Sequence, residues 1–272
     1  MRQIDHFISG GAGSASKRFG DVFDPNNGTV QAQVALGDAA VLERAVQAAL
    51  AAQPAWAATN PQRRARVMFN FKALVEANMD ELANMLSSEH GKVIADAKGD
   101  IQRGLEVIEF CCGIPHVLKG EYTQGAGPGI DVYSMRQPLG IGAGITPFNF
   151  PAMIPMWKFG PAIACGNAFI LKPSEKDPSV PVKLAELMME AGAPAGGRQR
   201  SRRRRHDFLQ RVPERIGARA QRRNRLLLSP AGGQPEKFPP RPHPPRSLQR
   251  ISPCKPRESK PREPTRETRK PP

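Results

Sequence analysis

Two short apolar runs, Leu139 to Ile145 and Ala168 to Leu171, each lead into residues able to polarise or bind a ligand. The first continues as Ile145-Thr146-Pro147-Phe148-Asn149-Phe150-Pro151. An asparagine beyond the carboxyl end of a strand can aim its amide N–H at a developing oxyanion; the alternative for Asn149 is a helix cap. The second continues as Leu171-Lys172-Pro173-Ser174-Glu175-Lys176. A carboxylate some 20 residues after the first strand can accept hydrogen bonds from ribose hydroxyls in a dinucleotide site; Glu175, about 30 residues after it, is compatible with that layout, and Lys172 adds donors. The alternative is a solvated charged turn. Gly140, Gly142 and Gly144 read G-x-G-x-G rather than G-x-G-x-x-G and lie inside the first run, so close backbone packing is expected there instead of a phosphate loop. The four cysteines, Cys111, Cys112, Cys165 and Cys254, have neither disulfide-framework nor zinc-ligand spacing, so no metal site and a reducing compartment are expected.

These residues need elements to hold them. Residues 19–36 predict two strands around the turn Asp24-Pro25-Asn26-Asn27-Gly28. Asp38 predicts a helix cap, with Leu42, Ala45, Val46 and Ala49 on one face. Asn60-Pro61 opens a second helix striped by Val67, Phe71 and Leu74. A third spans about residues 80–89 and stops at Gly91; a fourth spans 93–112 with Ile101, Leu105 and Ile108 inward and Arg103 off the stripe. Residues 120–138 predict a β-hairpin. Leu139–Ile145 predicts a strand buried on both faces, and 150–164 a helix that Pro155 and Pro161 should kink or break. After the strand 168–171, Pro181 starts a helix with Leu184, Leu187, Met188 and Ala191 inward and Gly192 at its end. Strand, helix, strand, helix is the order of a parallel sheet wrapped by helices.

Charge divides the chain near residue 195. The front holds 17 Lys+Arg and 19 Asp+Glu, net −2; the remainder holds 23 and 6, net +17, and half of the 28 prolines. The basic character therefore belongs to residues 196–272 alone. That stretch is too polar to offset its ordering entropy and is expected to be disordered. Two accounts of it stand: a nucleic-acid-binding arm acting by counterion release, or out-of-frame translation of a GC-rich gene, which the abrupt change of composition favours. The start MRQIDHFISGG lacks a signal-peptide core and no segment reaches the ~20 apolar residues of a membrane helix, so a cytoplasmic protein without membrane partners is expected.

The segment GITPFNFPAMIPMWKFGPAIACGNAFILKPSEKDPSVPVKLAELMMEAG closely resembles the aldehyde dehydrogenase superfamily. With GKVIADAKGDIQRGLEVIEFCCGIP added, it resembles the CoA-acylating methylmalonate-semialdehyde dehydrogenases. The resemblance covers about residues 4–195. It implies the N-terminal part of an α/β fold: an incomplete doubly wound parallel-sheet NAD-binding domain with N-terminal helices and a hairpin that pairs between subunits. It implies an NAD-dependent oxidation of malonate or methylmalonate semialdehyde with CoA as co-substrate. Asn149 matches the oxyanion-hole asparagine. Thr146 and Phe148 match the nicotinamide side of the cofactor site, Lys172 and Glu175 the adenosine ribose contacts, and Lys176 a neighbouring cofactor contact. Arg103 matches an arginine near the substrate carboxylate, which a guanidinium can bind in bidentate fashion; its alternative is a surface salt bridge. The family's cysteine nucleophile has no match here, so this chain is expected to be inactive on its own.

Overall fold

The computed structural model describes residues 1–13 and 16–194. The expected disorder of 196–272, and the nucleic-acid reading attached to it, lie outside the described residues. In chain order the elements are β1 Arg2–Ile4, β2 Phe7–Ile8, β3 Gly11–Ala12, β4 Phe19–Phe23, β5 Val30–Ala35, α1 Ala39–Ala58, α2 Pro61–Ala77, α3 Met79–His90, α4 Ile94–Cys112 and α5 Ile114–Val117. There follow β6 Tyr122–Gly127, β7 Ile130–Tyr133, β8 Ile141–Ile145, α6 Met153–Ala164, β9 Ala168–Lys172 and α7 Ser179–Glu190.

Local signals set most of these boundaries. The Asp38 side chain accepts from Val41 N at 3.0 Å and starts α1; the Asn60 side chain accepts from Gln62 N at 2.8 Å and starts α2 ahead of Pro61. Gly91 ends α3 in the left-handed region at φ 85°, which costs a glycine little. β4 and β5 pair antiparallel across the Asp24–Gly28 turn, as expected. The partner on the other side of β5 was not anticipated: β1 adds in parallel, completing a sheet of order β1-β5-β4.

Two expectations need correction. The helix after β8 is not broken by Pro155 or Pro161. It begins at Met153, so Pro155 falls in the first turn, where its missing N–H would have had no intrahelical acceptor anyway. Pro161 is tolerated within the last turn. Secondly, β8 is only half-buried, whereas β9 is buried on both faces. β8 carries glycines where β9 carries side chains, and among the described residues only β9 pairs with it.

The two strands pair in parallel from Ile141↔Ala168 to Ile145↔Lys172. Alternation along β9 then sorts its side chains. Ala168 and Ile170 meet Val46 and Ala49 of α1, while Phe169 and Leu171 join the main core. The glycines of β8 make room for Phe169: a Cβ on Gly144 would lie 2.7 Å from its ring and one on Gly142 3.0 Å. This is the close packing expected of the G-x-G-x-G run. The main core lies where α2, α3, α4, α6 and α7 meet, and includes Met68, Phe71, Leu82, Ile101, Leu105 and Phe159.

Phe71 and Phe159 meet edge to face, ring centroids 5.7 Å apart, at the centre of this core. Phe71→Ala is expected to lower the unfolding free energy by about 3–5 kcal/mol, measured by urea denaturation; a loss below about 1 kcal/mol would show that this contact does not organise the core.

Candidate functional site

In-register pairing brings both strands to an end side by side. Thr146 N donates to Lys172 O at 3.1 Å, which carries the ladder one residue into the loops. The segments 146–152 and 173–178 therefore leave from neighbouring points. Thr146 is buried, and its hydroxyl has no hydrogen-bond partner among the described residues. Lys172 Nζ lies 3.0 Å from Glu175 Oε2, with both side chains partly buried. Lys176 N donates to Ser174 Oγ at 3.0 Å, which turns the chain so that Lys176 Nζ stands 4.5 Å above the Phe148 ring. His90 stacks on the same phenyl ring at 6.3 Å between centroids. Five of the residues singled out from the sequence, Thr146, Phe148, Lys172, Glu175 and Lys176, are thus joined through two adjacent loops.

Asn149 is exposed on the first loop, directly after Phe148. It does not cap α6, whose cap position is Ala152. Arg103 is exposed on α4; its carbonyl accepts from Trp157 Nε1 of α6 at 3.0 Å, and its guanidinium makes no ion pair with the described residues.

The sequence reading missed a layer of charge beneath the loops. Asp100 lies on the buried face of α4, with Ala97, Ile101 and Gly104. Its Oδ1 accepts from Met153 N at 2.8 Å and its Oδ2 from Lys92 Nζ at 2.9 Å. Lys92 also donates to Asn149 O at 2.8 Å and sits 4.4 Å over the Phe150 ring. Glu89, at the end of α3, accepts from Ser179 N at 2.9 Å and from Arg2 Nη2 at 2.7 Å, and takes the Ser179 hydroxyl as well. A signal was present: Asp100 falls at helical core spacing, three residues after Ala97 and four before Gly104, and a carboxylate there must be paired.

Burial sets the electrostatics. It pushes the Asp177 carboxyl up to about 7; the Ser174 hydroxyl offsets part of this, and the charge of Glu89 adds to it. Among the described residues, neither Asp177 oxygen has a hydrogen-bond partner of good geometry. His90 is lowered by burial and then by the Lys92 charge, with Asp100 opposing. Burial pushes the Cys111 thiol up to about 12 and also raises Cys112 and Cys165. Among the described residues no three His, Cys, Asp or Glu side chains converge on a metal position, and no helix is long and apolar enough to cross a membrane.

Asp177 makes stability depend on pH. The folded chain keeps its proton up to about pH 7, whereas the unfolded chain releases it near the ordinary carboxylate value. Stability contributed at low pH is therefore lost as pH rises between about 4 and 7. Asp177→Asn should remove a fall on the order of 4 kcal/mol across that window, read from thermal unfolding at several pH values. An unchanged pH slope would show that Asp177 ionises freely in the folded chain.

The sequence profile of the aldehyde dehydrogenase family matches residues 12–199. Malonate-semialdehyde dehydrogenase of Pseudomonas aeruginosa is 49% identical over 196 residues, 72% of this chain and 39% of that protein. The mitochondrial acylating methylmalonate-semialdehyde dehydrogenase of Arabidopsis thaliana is 51% identical over 183 residues, 67% of this chain and 30% of that protein. A crystal structure assigned to methylmalonate-semialdehyde dehydrogenase of Sinorhizobium meliloti, in complex with NAD, superposes with a TM-score of 0.73 at 65% identity. It covers 74% of this chain and 41% of that one. The chain thus spans well under half the length of these relatives. On the matched residues and the shared α/β fold, the chain belongs to the aldehyde dehydrogenase family.

Proposed function

We propose that this chain carries the ribose-binding and oxyanion-binding residues of an NAD-dependent, CoA-acylating oxidation of malonate or methylmalonate semialdehyde. The observation that carries this reading is the Lys172–Glu175 pair, 3.0 Å apart at the carboxyl end of a strand paired in parallel with β8. Ligands of open α/β sheets bind beyond such strand ends. A nucleoside fits the donor set. Glu175 would accept from ribose hydroxyls and Lys172 would donate to them. Thr146, with its buried unpartnered hydroxyl, and Phe148 would line the nicotinamide side, with Lys176 alongside. When bound, NAD supplies an acceptor for the aldehyde hydride.

The protein's own residues would hold the substrate around that acceptor. The Asn149 side-chain amide would donate to the carbonyl oxygen as it gains negative charge. The Arg103 guanidinium, exposed and with no ion-pair partner among the described residues, suits the substrate's distal carboxylate. We assign the nucleophile to none of Cys111, Cys112 or Cys165, because burial raises all three thiols and a thiolate is what attacks an aldehyde. Cys254 lies outside the described residues. The hairpin β6–β7 exposes Tyr122, Ile130, Val132 and Tyr133, which supports assembly with a second copy.

Calorimetry with the full chain tests the cofactor assignment. NAD is expected to bind, with Lys172→Met weakening it by about tenfold or more, the loss of one charge-assisted bond. No binding at millimolar NAD would overturn it. Mixing the chain with NAD, CoA and malonate semialdehyde is expected to give no reduction of NAD; turnover would overturn the assignment of the nucleophile.

A further inference from the structure

We propose that Lys92 is a positioning residue that, together with Asp100, sets the backbone carrying Asn149 and Phe148. The proposal rests on the reading above for what binds at the loop, but the splint itself stands on geometry alone. Lys92 follows the left-handed cap Gly91 and is nearly buried. An ammonium has three N–H bonds to place. Two donate, to Asp100 Oδ2 at 2.9 Å and to Asn149 O at 2.8 Å, and the remaining face of the cation lies 4.4 Å over the Phe150 ring. Every direction open to the ammonium is therefore taken by the 149–150 segment or by the carboxylate that anchors it.

Asp100 closes the device. Its second oxygen accepts from Met153 N, one of the first-turn amides of α6, which has no side-chain cap of its own. One buried carboxylate thus fixes the start of 149–153 through Lys92 and its end directly. The Asn149 carbonyl is the group held, so the peptide plane after Asn149 cannot rotate freely. The direction in which its side-chain amide leaves the backbone follows from that plane. Two residues earlier, the His90 ring packs on Phe148. The turn 90–92 therefore backs two consecutive residues of the loop without supplying an atom to the adenosine side, where Lys172 and Glu175 stand.

The test uses the full chain with Lys92→Met, Lys92→Arg and Asp100→Asn, and two readouts. The first is amide hydrogen exchange; the second is calorimetric affinity for NAD and for AMP, which lacks the nicotinamide half. With Lys92→Met, exchange at the amides of 149, 150 and 152–154 should rise by about tenfold while that of β9 stays unchanged. NAD affinity should fall by about fivefold and AMP affinity should hold within about twofold. Lys92→Arg, which keeps a donor and a charge, should recover most of both effects. Asp100→Asn, nearly isosteric and able to keep the Met153 bond, gives the same pattern in weaker form and serves if Lys92→Met does not fold. Unchanged exchange at 149–154, or equal losses of NAD and AMP affinity, would overturn the proposal. If the parent chain binds neither nucleotide, the cofactor reading fails while the exchange data still decide the splint.

Discussion

The in-register parallel pairing of β8 with β9 is the constraint on which the rest depends. Because Ile145 stands opposite Lys172, the chain leaves both strands at one level, and two loops far apart in sequence start as neighbours. A shift of one residue would turn every β9 side chain to the opposite face. Phe169 would leave the core and the groove between Gly142 and Gly144 that receives its ring. The glycines are thus a register lock: they tolerate one bulky neighbour in one position, and that position aligns Ile145 with Lys172.

The helices after the two strands reveal a second regularity. Neither α6 nor α7 has a side-chain cap of its own. Each is capped from another helix by a buried carboxylate: Met153 N by Asp100 of α4, and Ser179 N by Glu89 of α3. A carboxylate complements the positive end of a helix, and its own burial is made tolerable by that end and by a cation, Lys92 in one case and Arg2 in the other. The α-helical layer therefore does more than cover the sheet. It determines where the helices begin, and so how the loops before them run. Arg64 plays a comparable part at the other end of α6, where its buried guanidinium donates to the carbonyls of Ala164 and Thr59. Trp56 donates to Ile163 O at 2.9 Å nearby.

Much of this was legible from residues alone. The caps Asp38 and Asn60, the stop at Gly91, the hairpin and the two strand-helix units follow from side chains that act on their own backbone or repeat with helical or strand period. The site residues in 146–149 and 172–176 were legible because each set lies in one short stretch at a strand end. What escaped was non-local. β1 pairs with β5 across about 30 residues, and nothing in three residues announces that. Pro155 looked like a breaker because the start of α6 depends on Asp100, which is more than fifty residues away in sequence. Asp177 carries no local signal that sets it apart, and only packing buries both its oxygens.

By itself the sequence determined the order of elements, the division of charge near residue 195, and the chemical types available at each strand end. These depend on hydrogen-bonding capacity, side-chain period and charge, which are properties of neighbouring residues. The tertiary structure decided which of those residues face one another. It joined Phe148 to Lys176 and His90, drew Lys92 beneath Asn149, and buried Asp100 and Glu89 against helix ends. The reason is that a charge in a packed interior is stable only where distant groups bring it donors or an opposite charge, and no local segment can supply both.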